Sequence, residues 1–363
     1  MELRPARKIA VLRRQLLQWY ARHRRDLPWR NTADPYSIWI SEIMLQQTRV
    51  AVVIERYREF VNRFPTLLSL ASANEDDVLA LWSGLGYYRR ARMLHKAAQA
   101  VTSQHGGIMP QTAHALRSLP GIGSYTAAAI ASIAHGEPVA VVDGNVERVL
   151  CRIEGWEGNA KTNTALRKQI HDLADRLVDP TQPGDFNQAI MELGATVCVP
   201  RNPQCLICPI ATHCHTRGEH KTEKRKPMHS KQIAHALVLR TVRNGHAKQN
   251  QEVLLERRSK VQTVMPGLWE LPALLEAEVP ESELRLTVRH AIMQVNYLVH
   301  IRSVEEQHLD QLTQSRGERR WVSIEVVQTM PLTGLARKVL VRTGLLTSKR
   351  EIANQAAARL PIG

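Results

Sequence analysis

The stretch Asp34–Val50, which reads DPYSIWISEIMLQQTRV, carries the pattern around which the rest of the chain is organised. Asp34 followed by Pro35 predicts a helix that begins with an acidic N-cap and has proline at its first position. Apolar side chains then recur at helical spacing, which predicts that one side of this helix lies in the core. The apolar positions are Ile38, Trp39, Ile43, Met44 and Leu45, and the polar triplet Gln46-Gln47-Thr48 ends the run.

Glu42 is the one carboxylate inside this apolar segment. A carboxylate surrounded by Trp, Ile and Met is poorly solvated, so its pKa rises and it becomes a proton donor near neutral pH. Judged on this segment alone, a glutamate on the outer, solvated face of the helix is the commoner arrangement. The other motifs of the chain favour the buried acid.

The composition is that of a soluble globular protein, with 44% hydrophobic and 23% charged residues in a chain of 363, which is long enough for two domains. The formal net charge of +15 favours a polyanionic partner, nucleic acid before membrane. No apolar run has the length of a membrane span, and the first residues lack the apolar core of a signal peptide. We therefore expect an intracellular protein, cytoplasmic and, in a bacterium, associated with the nucleoid.

The apolar pattern divides the chain into a helical part and a strand-rich part. Helical spacing continues to about residue 197, with breaks at Pro65 and at Gly84-Leu85-Gly86. Beyond a polar stretch at 215–231, short apolar runs predict strands within 233–242, 252–258, 284–304 and 319–324, and a short helix near 333–344. We predict a first domain over residues 1–217, a linker over 218–231, a second domain over 232–345 and a tail over 346–363.

Residues 116–127, LRSLPGIGSYTA, place a glycine-rich loop directly before an Ala-rich segment that favours helix. Gly121 and Gly123 let the backbone turn tightly and approach a ligand closely, and the amide groups at the start of the next helix can hold a phosphate. An ordinary glycine turn between helices has the same residues. In a basic chain with this Leu-Pro-Gly opening, we favour a helix-hairpin-helix clamp on the DNA backbone.

A second motif lies at 139–149, VAVVDGNVERV. Read locally, Asp143-Gly144 between β-branched runs predicts a two-residue β-hairpin. The alternative is that Asp143 ends an apolar segment and begins a helix, with its carboxylate at the mouth of a cleft. The local pattern gives the hairpin, but we expect the helix.

Four of the five cysteines lie within one short segment, as Cys198, Cys205, Cys208 and Cys214. Such a group in an intracellular chain argues for metal rather than for disulfides. Four thiolates hold either zinc or an iron–sulfur cluster, and the unequal spacing favours iron–sulfur. Cys151 stands apart in a helical segment, where we expect a buried small hydrophobe.

These motifs, in this order and with Glu42 upstream, resemble the helix-hairpin-helix DNA glycosylases of the endonuclease III class over roughly residues 5–217. The resemblance implies a mostly α N-terminal region that carries a [4Fe–4S] loop at the four cysteines. It also implies that Asp143 is an essential aspartate that opens a helix beside the cleft. The residues implied to contact the DNA backbone are Gly121, Ile122 and Gly123.

Smaller details resemble the MutY-type adenine DNA glycosylases. Bifunctional relatives carry a lysine where Tyr125 stands, and tyrosine cannot form a Schiff base, so the resemblance implies base removal without strand cleavage. The segments 41–48, SEIMLQQT, and 82–88, WSGLGYY, are also similar to that group. Mismatch thymine glycosylases of the same fold share the tyrosine but tend to carry basic residues where Gln46-Gln47 stand.

The resemblance implies substrate contacts as well. The matches to Gln47 and Tyr87 intrude into the duplex, and those to Thr48 and Leu85 lie near the orphaned 8-oxoguanine. The residues implied to surround the extruded adenine are Trp29, Arg30, Gln188, Met191 and Glu192. Core packing is the alternative for Trp29, Met191 and Leu85, and surface charge is the alternative for Arg30 and Glu192.

The chemistry expected from this resemblance starts with the bond to be broken. Adenine leaves readily only when protonated, so Glu42 would protonate it, at N7, while Asp143 stabilises the oxocarbenium-like sugar. Asn145 and Tyr125 would position these groups and the attacking water. The base must first leave the stack. The expected partner is double-stranded DNA with A:8-oxoguanine or A:G mispairs, bound by a monomer and without a membrane.

Residues 232–345 resemble the Nudix-like α+β domain that is appended to MutY enzymes and surveys 8-oxoguanine. No Nudix hydrolase box is present, so nucleotide hydrolysis is not expected. A Phe-Ser/Thr-His triplet usually contacts the lesion from a hairpin loop, and Ile292-Met293-Gln294 stands there instead. Adenine excision is therefore better supported than 8-oxoguanine discrimination.

Two alternatives stay open. One is a mismatch glycosylase that acts on G:A or G:T pairs without 8-oxoguanine preference. The other is a non-catalytic iron–sulfur protein that binds DNA through the same clamp, although binding alone requires neither Glu42 nor Asp143.

Overall fold

The structure is a computed structural model that describes residues 5–220, 227–244, 248–313 and 317–347. Within these residues the chain forms two compact units, one of Met1–Ala73 with Arg92–Lys224 and the other of Asn74–Ala91 with Arg225–Gly363. Sequence analysis assigned Asn74–Ala91 to the first domain, whereas its contacts group it with the C-terminal residues. None of the described helices is long and apolar enough to cross a membrane.

The first unit is helical, as predicted, apart from three short 3-10 turns, at Pro28–Arg30, Cys205–Ile207 and Ala211–His213, among the residues described. Its helices are α1 (Ala6–His23), α2 (Pro35–Leu45), α3 (Val50–Arg63), α4 (Leu67–Ala71), α6 (Arg89–Gln104, of which Arg89–Ala91 group with the second unit), α7 (Ala113–Leu116), α8 (Ser124–His135), α9 (Gly144–Glu154), α10 (Thr164–Leu177) and α11 (Pro183–Thr196). Helix α5 (Glu75–Leu81) belongs to the second unit.

Two aspartates start the helices that matter for the site. Asp34 accepts hydrogen bonds from the backbone N–H groups of Tyr36 and Ser37, with Pro35 at the first position of α2, which confirms the predicted cap. Asp143 accepts hydrogen bonds from the backbone N–H groups of Asn145 and Val146 and is the N-cap of α9. The locally predicted hairpin is therefore wrong and the expected helix start is confirmed.

Helices α8 and α11 lie in the middle of the first unit. Helix α8 packs against α2, α7 and α11, while α11 also packs against α1 and α9. The close approach of α11 to α8 requires a small residue, because a Cβ on Gly184 would meet the Cα of Ile133 and the carbonyl oxygen of Ser132 at 2.8 Å. Helix α8 is Ala-rich and buried over Thr126–Ser132, and its small side chains allow α11 to pack this closely.

The second unit combines two sheets with short helices, which confirms the predicted α+β class. Its strands are β1 (His229–Leu237), β2 (Leu239–Asn244), β3 (Lys248–Arg257), β4 (Trp269–Glu270), β5 (Leu284–Ile292), β6 (Val295–Ser303) and β7 (Arg319–Ser323). One sheet has the order β1-β6-β5, and the other has the order β2-β3-β4 with β7 paired to β3. The helices that follow α11 are α12 (Glu306–Leu312), α13 (Ile324–Val327) and α14 (Gly334–Arg342).

Two strand boundaries differ from the sequence predictions. Strand β1 begins at His229, inside the predicted linker, because its first residues pair with β6 from Val295 onward. The single predicted run over 284–304 is the antiparallel pair β5 and β6, which turns at Met293 and Gln294. Residues 221–226 of the predicted linker and most of the predicted tail, at 348–363, lie outside the described residues.

Candidate active site

A cleft of about 620 Å³ opens in the first unit, lined by parts of α2, α8, α9 and α11. Its size is typical of a pocket for a small molecule or a single nucleobase. The sequence-predicted residues that line it are Trp29, Arg30, Glu42, Gln47, Thr48, Tyr125, Asp143, Asn145, Gln188, Met191 and Glu192. The fold therefore brings together side chains from distant parts of the chain.

Leu85 and Tyr87 do not line this cleft and belong to the second unit. Leu85 is buried, while Tyr87 is 53% exposed and has a left-handed backbone with φ 48°. Gln47 has the same unusual backbone conformation, with φ 57°, and is exposed directly after α2. A non-glycine residue in this region is held there by its surroundings at some cost in energy.

Glu42 is 5% exposed, so the buried acid is the arrangement that the fold adopts. The hydroxyl of Tyr125, the second residue of α8, donates a hydrogen bond of 2.6 Å to its carboxylate oxygen. Burial raises the pKa of Glu42 to about 7; the hydrogen bond from Tyr125 opposes this shift, and the negative charge of Asp143 adds to it. A carboxyl group with this pKa can release a proton at neutral pH.

Tyr125 itself stays a neutral phenol. Burial, and then the charges of Glu42 and Asp143, raise its pKa well above the ordinary value. The side chain is therefore a hydrogen-bond donor toward Glu42.

Asp143 presents its carboxylate at the cleft from the N-cap of α9. It accepts hydrogen bonds from the backbone of Asn145 at 2.9 Å and of Val146 at 2.7 Å, and from the side-chain amide of Asn145 at 2.9 Å. The positive end of a helix dipole favours a negative charge at this place. The cleft thus holds a protonatable acid and, lining the same space, a half-buried carboxylate that accepts three N–H hydrogen bonds.

Arg148 holds the side chain of Asn145 in place, a role for Arg148 that the sequence pattern did not reveal. Its guanidinium donates to the side-chain oxygen of Asn145 at 3.0 Å, to the carbonyl of Gly194 at 2.6 Å and to the carbonyl of Cys198 at 2.9 Å. The amide nitrogen of Asn145 consequently faces Asp143. The available signal was the spacing of Asn145 and Arg148, which puts both on one face of a helix.

Replacing Gly194 tests whether α9 and α11 must pack this closely beside Asn145. A Cβ at this position would lie 2.7 Å from the Cβ of Asn145, so α9 and α11 touch through backbone here. We expect Gly194→Ala to lower the free energy of unfolding by about 1–3 kcal/mol, as overpacking does, despite the better helix propensity of alanine. Urea unfolding measures the change.

Gly144→Ala is the matched control, because nothing lies within 4 Å of a Cβ at Gly144. This variant should be as stable as the native chain or slightly more so. Equal stability of Gly194→Ala and the native protein would show that the two helices separate without cost.

An ion-pair network around the buried Glu192 also lines the cleft. Glu192, whose side chain is 1% exposed, pairs with Arg25 and Arg30 at 2.7 Å each. Burial alone would raise its pKa, but the hydrogen bonds from Arg25 and Arg30 outweigh burial and hold the pKa at about 2. The surface-charge alternative for Arg30 and Glu192 is therefore wrong, and sequence analysis missed the contribution of Arg25.

The remaining cleft residues are held by neighbours. Trp29 is buried and packs edge-on against Tyr57 with ring centroids 5.4 Å apart, and Gln188 accepts a hydrogen bond of 3.2 Å from the hydroxyl of Tyr20. Gln188, Met191 and Glu192 follow each other at helical spacing along the cleft face of α11.

The loop between α7 and α8 forms a tight turn. Gly121 has φ 74°, and a Cβ there would lie 2.4 Å from the Cβ of Met93, so both conformation and space require glycine. Ile122 is buried, while Gly123 is exposed and caps α8. The start of α8 therefore offers backbone N–H groups toward solvent.

The four clustered cysteines lie on the loop that follows α11, near enough for three of them to act electrostatically on Cys208. Burial, together with the charges of Cys198, Cys205 and Cys214, raises the pKa of Cys208 to about 11, against a backbone hydrogen bond from Ile210. Thiols that disfavour each other's ionisation in this way require a cationic group to become four thiolates, and iron provides the positive charge. The donor set fits an iron–sulfur cluster.

Arg152 in α9 anchors this loop and was also missed. It is 2% exposed and donates hydrogen bonds to the carbonyls of Val199 at 2.8 Å and Pro200 at 2.9 Å and to the sulfur of Cys198 at 3.3 Å. Cys151 beside it lies in the helical core, as expected.

In the second unit, Ile292-Met293-Gln294 forms the turn between β5 and β6. Met293 is 77% exposed and has φ 54°. These residues therefore lie at a hairpin turn with a methionine at its tip.

Comparison with known proteins identifies two families in the chain. Residues 40–189 match the HhH-GPD superfamily of base excision DNA repair proteins, and residues 198–214 match the iron–sulfur binding domain of endonuclease III. The second match confirms iron–sulfur rather than zinc at the four cysteines.

Curated relatives carry the name adenine DNA glycosylase. The human protein is 48% identical over 230 residues, which cover 61% of this chain and 42% of that protein. The Arabidopsis thaliana protein is 36% identical over 329 residues, which cover 80% of this chain and 51% of that protein. A Buchnera aphidicola protein is 40% identical over 210 residues, which cover 58% of this chain and 60% of that protein. This chain spans about half the length of the curated relatives that it matches.

Solved structures show the same helical fold. A thermostable thymine-DNA glycosylase superposes with a TM-score of 0.53 at 32% identity, over 58% of this chain and 97% of that one. An endonuclease III in a non-covalent DNA complex superposes with a TM-score of 0.50 at 20% identity, over 59% and 97%. Both confirm the predicted fold class of the helical region.

Proposed function

Because this chain belongs to the HhH-GPD superfamily of base excision DNA repair proteins, we propose that it is a monofunctional adenine DNA glycosylase. One observation carries the proposal: Glu42, buried and with a pKa raised to about 7, faces the same cleft as the helix-capping carboxylate of Asp143. A protein that only binds DNA needs neither group. The names and identities of the curated relatives support adenine as the base.

The reaction begins outside the helix stack, since neither carboxylate can reach a base inside a duplex. Glu42 donates its proton to the extruded adenine, at N7, and so converts a poor leaving group into a good one. Asp143, held by three N–H donors, stabilises the positive charge that develops on the sugar. Asn145 and Tyr125 orient these two groups and the attacking water.

Base removal without strand cleavage follows from Tyr125. A phenol cannot form the Schiff base through which a lysine opens the sugar, and its hydroxyl is engaged with Glu42. We propose that Trp29, Arg30, Gln188, Met191 and Glu192 surround the extruded adenine.

The duplex-facing roles complete the proposal. Gln47 and Tyr87, both exposed with left-handed backbones, enter the duplex when adenine leaves it, and Thr48 and Leu85 lie near the opposite base. The amides around Gly121, Ile122 and Gly123 hold a DNA phosphate. The formal net charge of +15 supports double-stranded DNA as the partner.

We propose further that the chain acts as a monomer in the cytoplasm, on nucleoid DNA, with a glycosylase domain, a linker and a Nudix-like lesion-recognition domain in that order. Cys198, Cys205, Cys208 and Cys214 would hold a [4Fe–4S] cluster that orders their loop and takes no part in hydrolysis. Arg148 and Arg152 tie that loop to the helix that Asp143 caps.

The hydrogen bond from Tyr125 gives a prediction about pH. Tyr125→Phe removes a donor that lowers the pKa of Glu42, so this pKa should rise further. Because the acid must be protonated to act, activity falls as pH rises through its pKa, and the basic limb of the pH–rate profile should move up by about one to two pH units. Single-turnover adenine release between pH 5 and 9 measures the shift.

Tyr36→Phe provides the control, since Tyr36 also loses a buried hydroxyl bond, to the carbonyl of Phe64, without touching Glu42. Its pH profile should match that of the native protein. An unmoved basic limb in Tyr125→Phe would mean that another group donates the proton.

The proposal is tested by single-turnover base release on duplexes that carry A opposite 8-oxoguanine, A opposite guanine and T opposite guanine. Release of adenine from either of the first two supports it. A strong preference for 8-oxoguanine would mean that the altered 292–294 turn is compensated elsewhere, and equal rates would mean that the second unit does not discriminate. No base release from any of the three duplexes would leave a DNA-binding protein.

A second candidate is a thymine mismatch glycosylase. The thermostable thymine-DNA glycosylase is 32% identical and is covered over 97% of its length. Thymine release from the third duplex would establish this activity and overturn the adenine assignment.

A further inference from the structure

The segment Asn74–Ala91 lies between two stretches of the first unit in sequence, yet it groups with the C-terminal residues. It contains α5 and then a loop over 82–88, WSGLGYY. This loop carries Tyr87, proposed to enter the duplex, and Leu85, proposed to lie near the base opposite adenine; neither lines the cleft.

The C-terminal residues form hydrogen bonds with both ends of this loop. At its start, the Nε of Arg337 in α14 donates to the hydroxyl of Ser83 at 2.8 Å. At its end, the hydroxyl of Tyr88 donates to the carbonyl of Leu332 at 3.0 Å. Ser83 is 1% exposed and Tyr88 is 4% exposed, so both bonds are shielded from water.

A third contact precedes the loop. Arg257 in β3 donates to both carboxylate oxygens of Asp76 in α5 at 3.1 Å. Both bonds come from one nitrogen, Nη2, and join opposite charges, which makes them stronger than neutral hydrogen bonds. The segment is therefore attached to the C-terminal residues before, at the start of and at the end of the loop.

Between its two ends the loop has three residues with a left-handed backbone conformation. Gly84 and Gly86 have φ 95° and 70°, and Tyr87 has φ 48° although it is not glycine. The guanidinium of Arg90 donates to the carbonyls of Leu85 at 3.0 Å and Gly86 at 3.2 Å and lies 5.6 Å from the ring of Tyr87. An exposed aromatic ring on a strained, internally bonded loop is poised to contact a partner.

We infer that Arg337 and the carbonyl of Leu332 are positioning groups that hold the loop 82–88 in the shape in which Tyr87 enters the duplex. The inference rests on the proposed function. It assigns the second unit a role in opening the duplex that is separate from recognising the base opposite adenine. Loss of these contacts should therefore slow adenine release by the same factor whether that base is 8-oxoguanine or guanine.

The test is a double-mutant cycle on Arg337 and Ser83. Arg337→Ala and Ser83→Ala should each lower single-turnover adenine release by roughly tenfold on both duplexes. The double variant should lose no more than the worse single variant, because both changes remove the Arg337–Ser83 bond and only Arg337→Ala also removes the bond to the carbonyl of Gln328. Arg337→Lys, which keeps a donor, should recover part of the loss. Arg342→Ala is the matched control, since Arg342 is exposed on the same helix.

A second readout does not depend on catalysis. A duplex with a hydrolysis-resistant 2′-fluoro target nucleotide and 2-aminopurine beside it brightens when the base leaves the stack. Brightening should be slower in Arg337→Ala and Ser83→Ala, while the Kd for an undamaged duplex stays within about twofold, as for a surface change of one charge. Tyr88→Phe, which removes only a hydroxyl, should show the same slowing.

Additive losses in the double variant, native brightening in Ser83→Ala and Tyr88→Phe, or an effect confined to the 8-oxoguanine duplex would each overturn the inference. Absence of adenine release by the native protein would overturn the proposed function instead. In that case the brightening measurement still decides whether these contacts control opening of the duplex.

Discussion

Replacing Glu42 with glutamine is expected to reduce single-turnover adenine release by about 10²–10⁴-fold, the range for loss of a general acid. Glutamine has nearly the same shape, and its carbonyl oxygen can still accept the 2.6 Å hydrogen bond from Tyr125. What it lacks is the proton that adenine needs to leave. Duplex binding, measured by fluorescence anisotropy, should stay near the native value.

Glu55→Gln is a suitable control, because Glu55 is exposed on α3 and does not line the cleft. It should react at the native rate. Turnover retained by Glu42→Gln would mean that the proton reaches adenine from another source, and the assignment of Glu42 would be lost.

The same variant should be more stable than the native protein at alkaline pH. The folded-state pKa of Glu42, about 7, lies above the ordinary 4.5, so its contribution to stability is fully present below pH 4.5 and is lost as pH rises through 7. The gap corresponds to up to about 3 kcal/mol. Urea unfolding at pH 5 and pH 8 should show that the advantage of Glu42→Gln grows between these values.

Asp143→Asn should lower adenine release by about 10²–10³-fold, as loss of a group that stabilises transition-state charge does. Asparagine caps helices as well as aspartate, so α9 should begin at the same residue. Since the charge of Asp143 raises the pKa of Glu42, the basic limb of the pH–rate profile should also move to lower pH. Single-turnover rates across pH measure both effects.

Asp179→Asn is a control for the loss of a carboxylate that accepts backbone hydrogen bonds away from the cleft. Asp179 accepts hydrogen bonds from the backbone of Thr181 and Gln182 and does not line the cleft. Its substitution should leave the rate unchanged. If Asp143→Asn were equally harmless, Asp143 would be a helix cap without a role in the reaction.

Much of the fold was predictable because its signals are local. The Asp34-Pro35 start of α2, the Ala-rich run of α8 and the apolar runs of the second unit each depend on residues a few positions apart. The spacing of the cysteines identified an iron–sulfur site for the same reason, since one short loop supplies all four thiols. These elements were predicted with small shifts at their ends, where pairing partners such as β6 decide how far β1 extends.

Other features depend on packing between distant residues. Asp143-Gly144 has a local hairpin pattern, but the apolar face of α9 packs against α10 and α11, and burial of that face outweighs the local turn preference. Glu42 and Tyr125 are 83 positions apart, and Arg30 and Glu192 are 162 apart. No periodicity relates such pairs.

The sequence by itself determined the helical and α+β parts, the helix starts, the cysteine site and the identity of the candidate acid and carboxylate. Only the tertiary structure decided that Glu42 is buried beside Tyr125, that Arg30 and Glu192 form a buried pair, and that the loop 82–88 groups with the C-terminal residues. The physical reason is the distance along the chain over which each interaction acts. Caps and amphipathic spacing act within a few residues, whereas desolvation and ion pairing depend on which surfaces meet after the chain has folded.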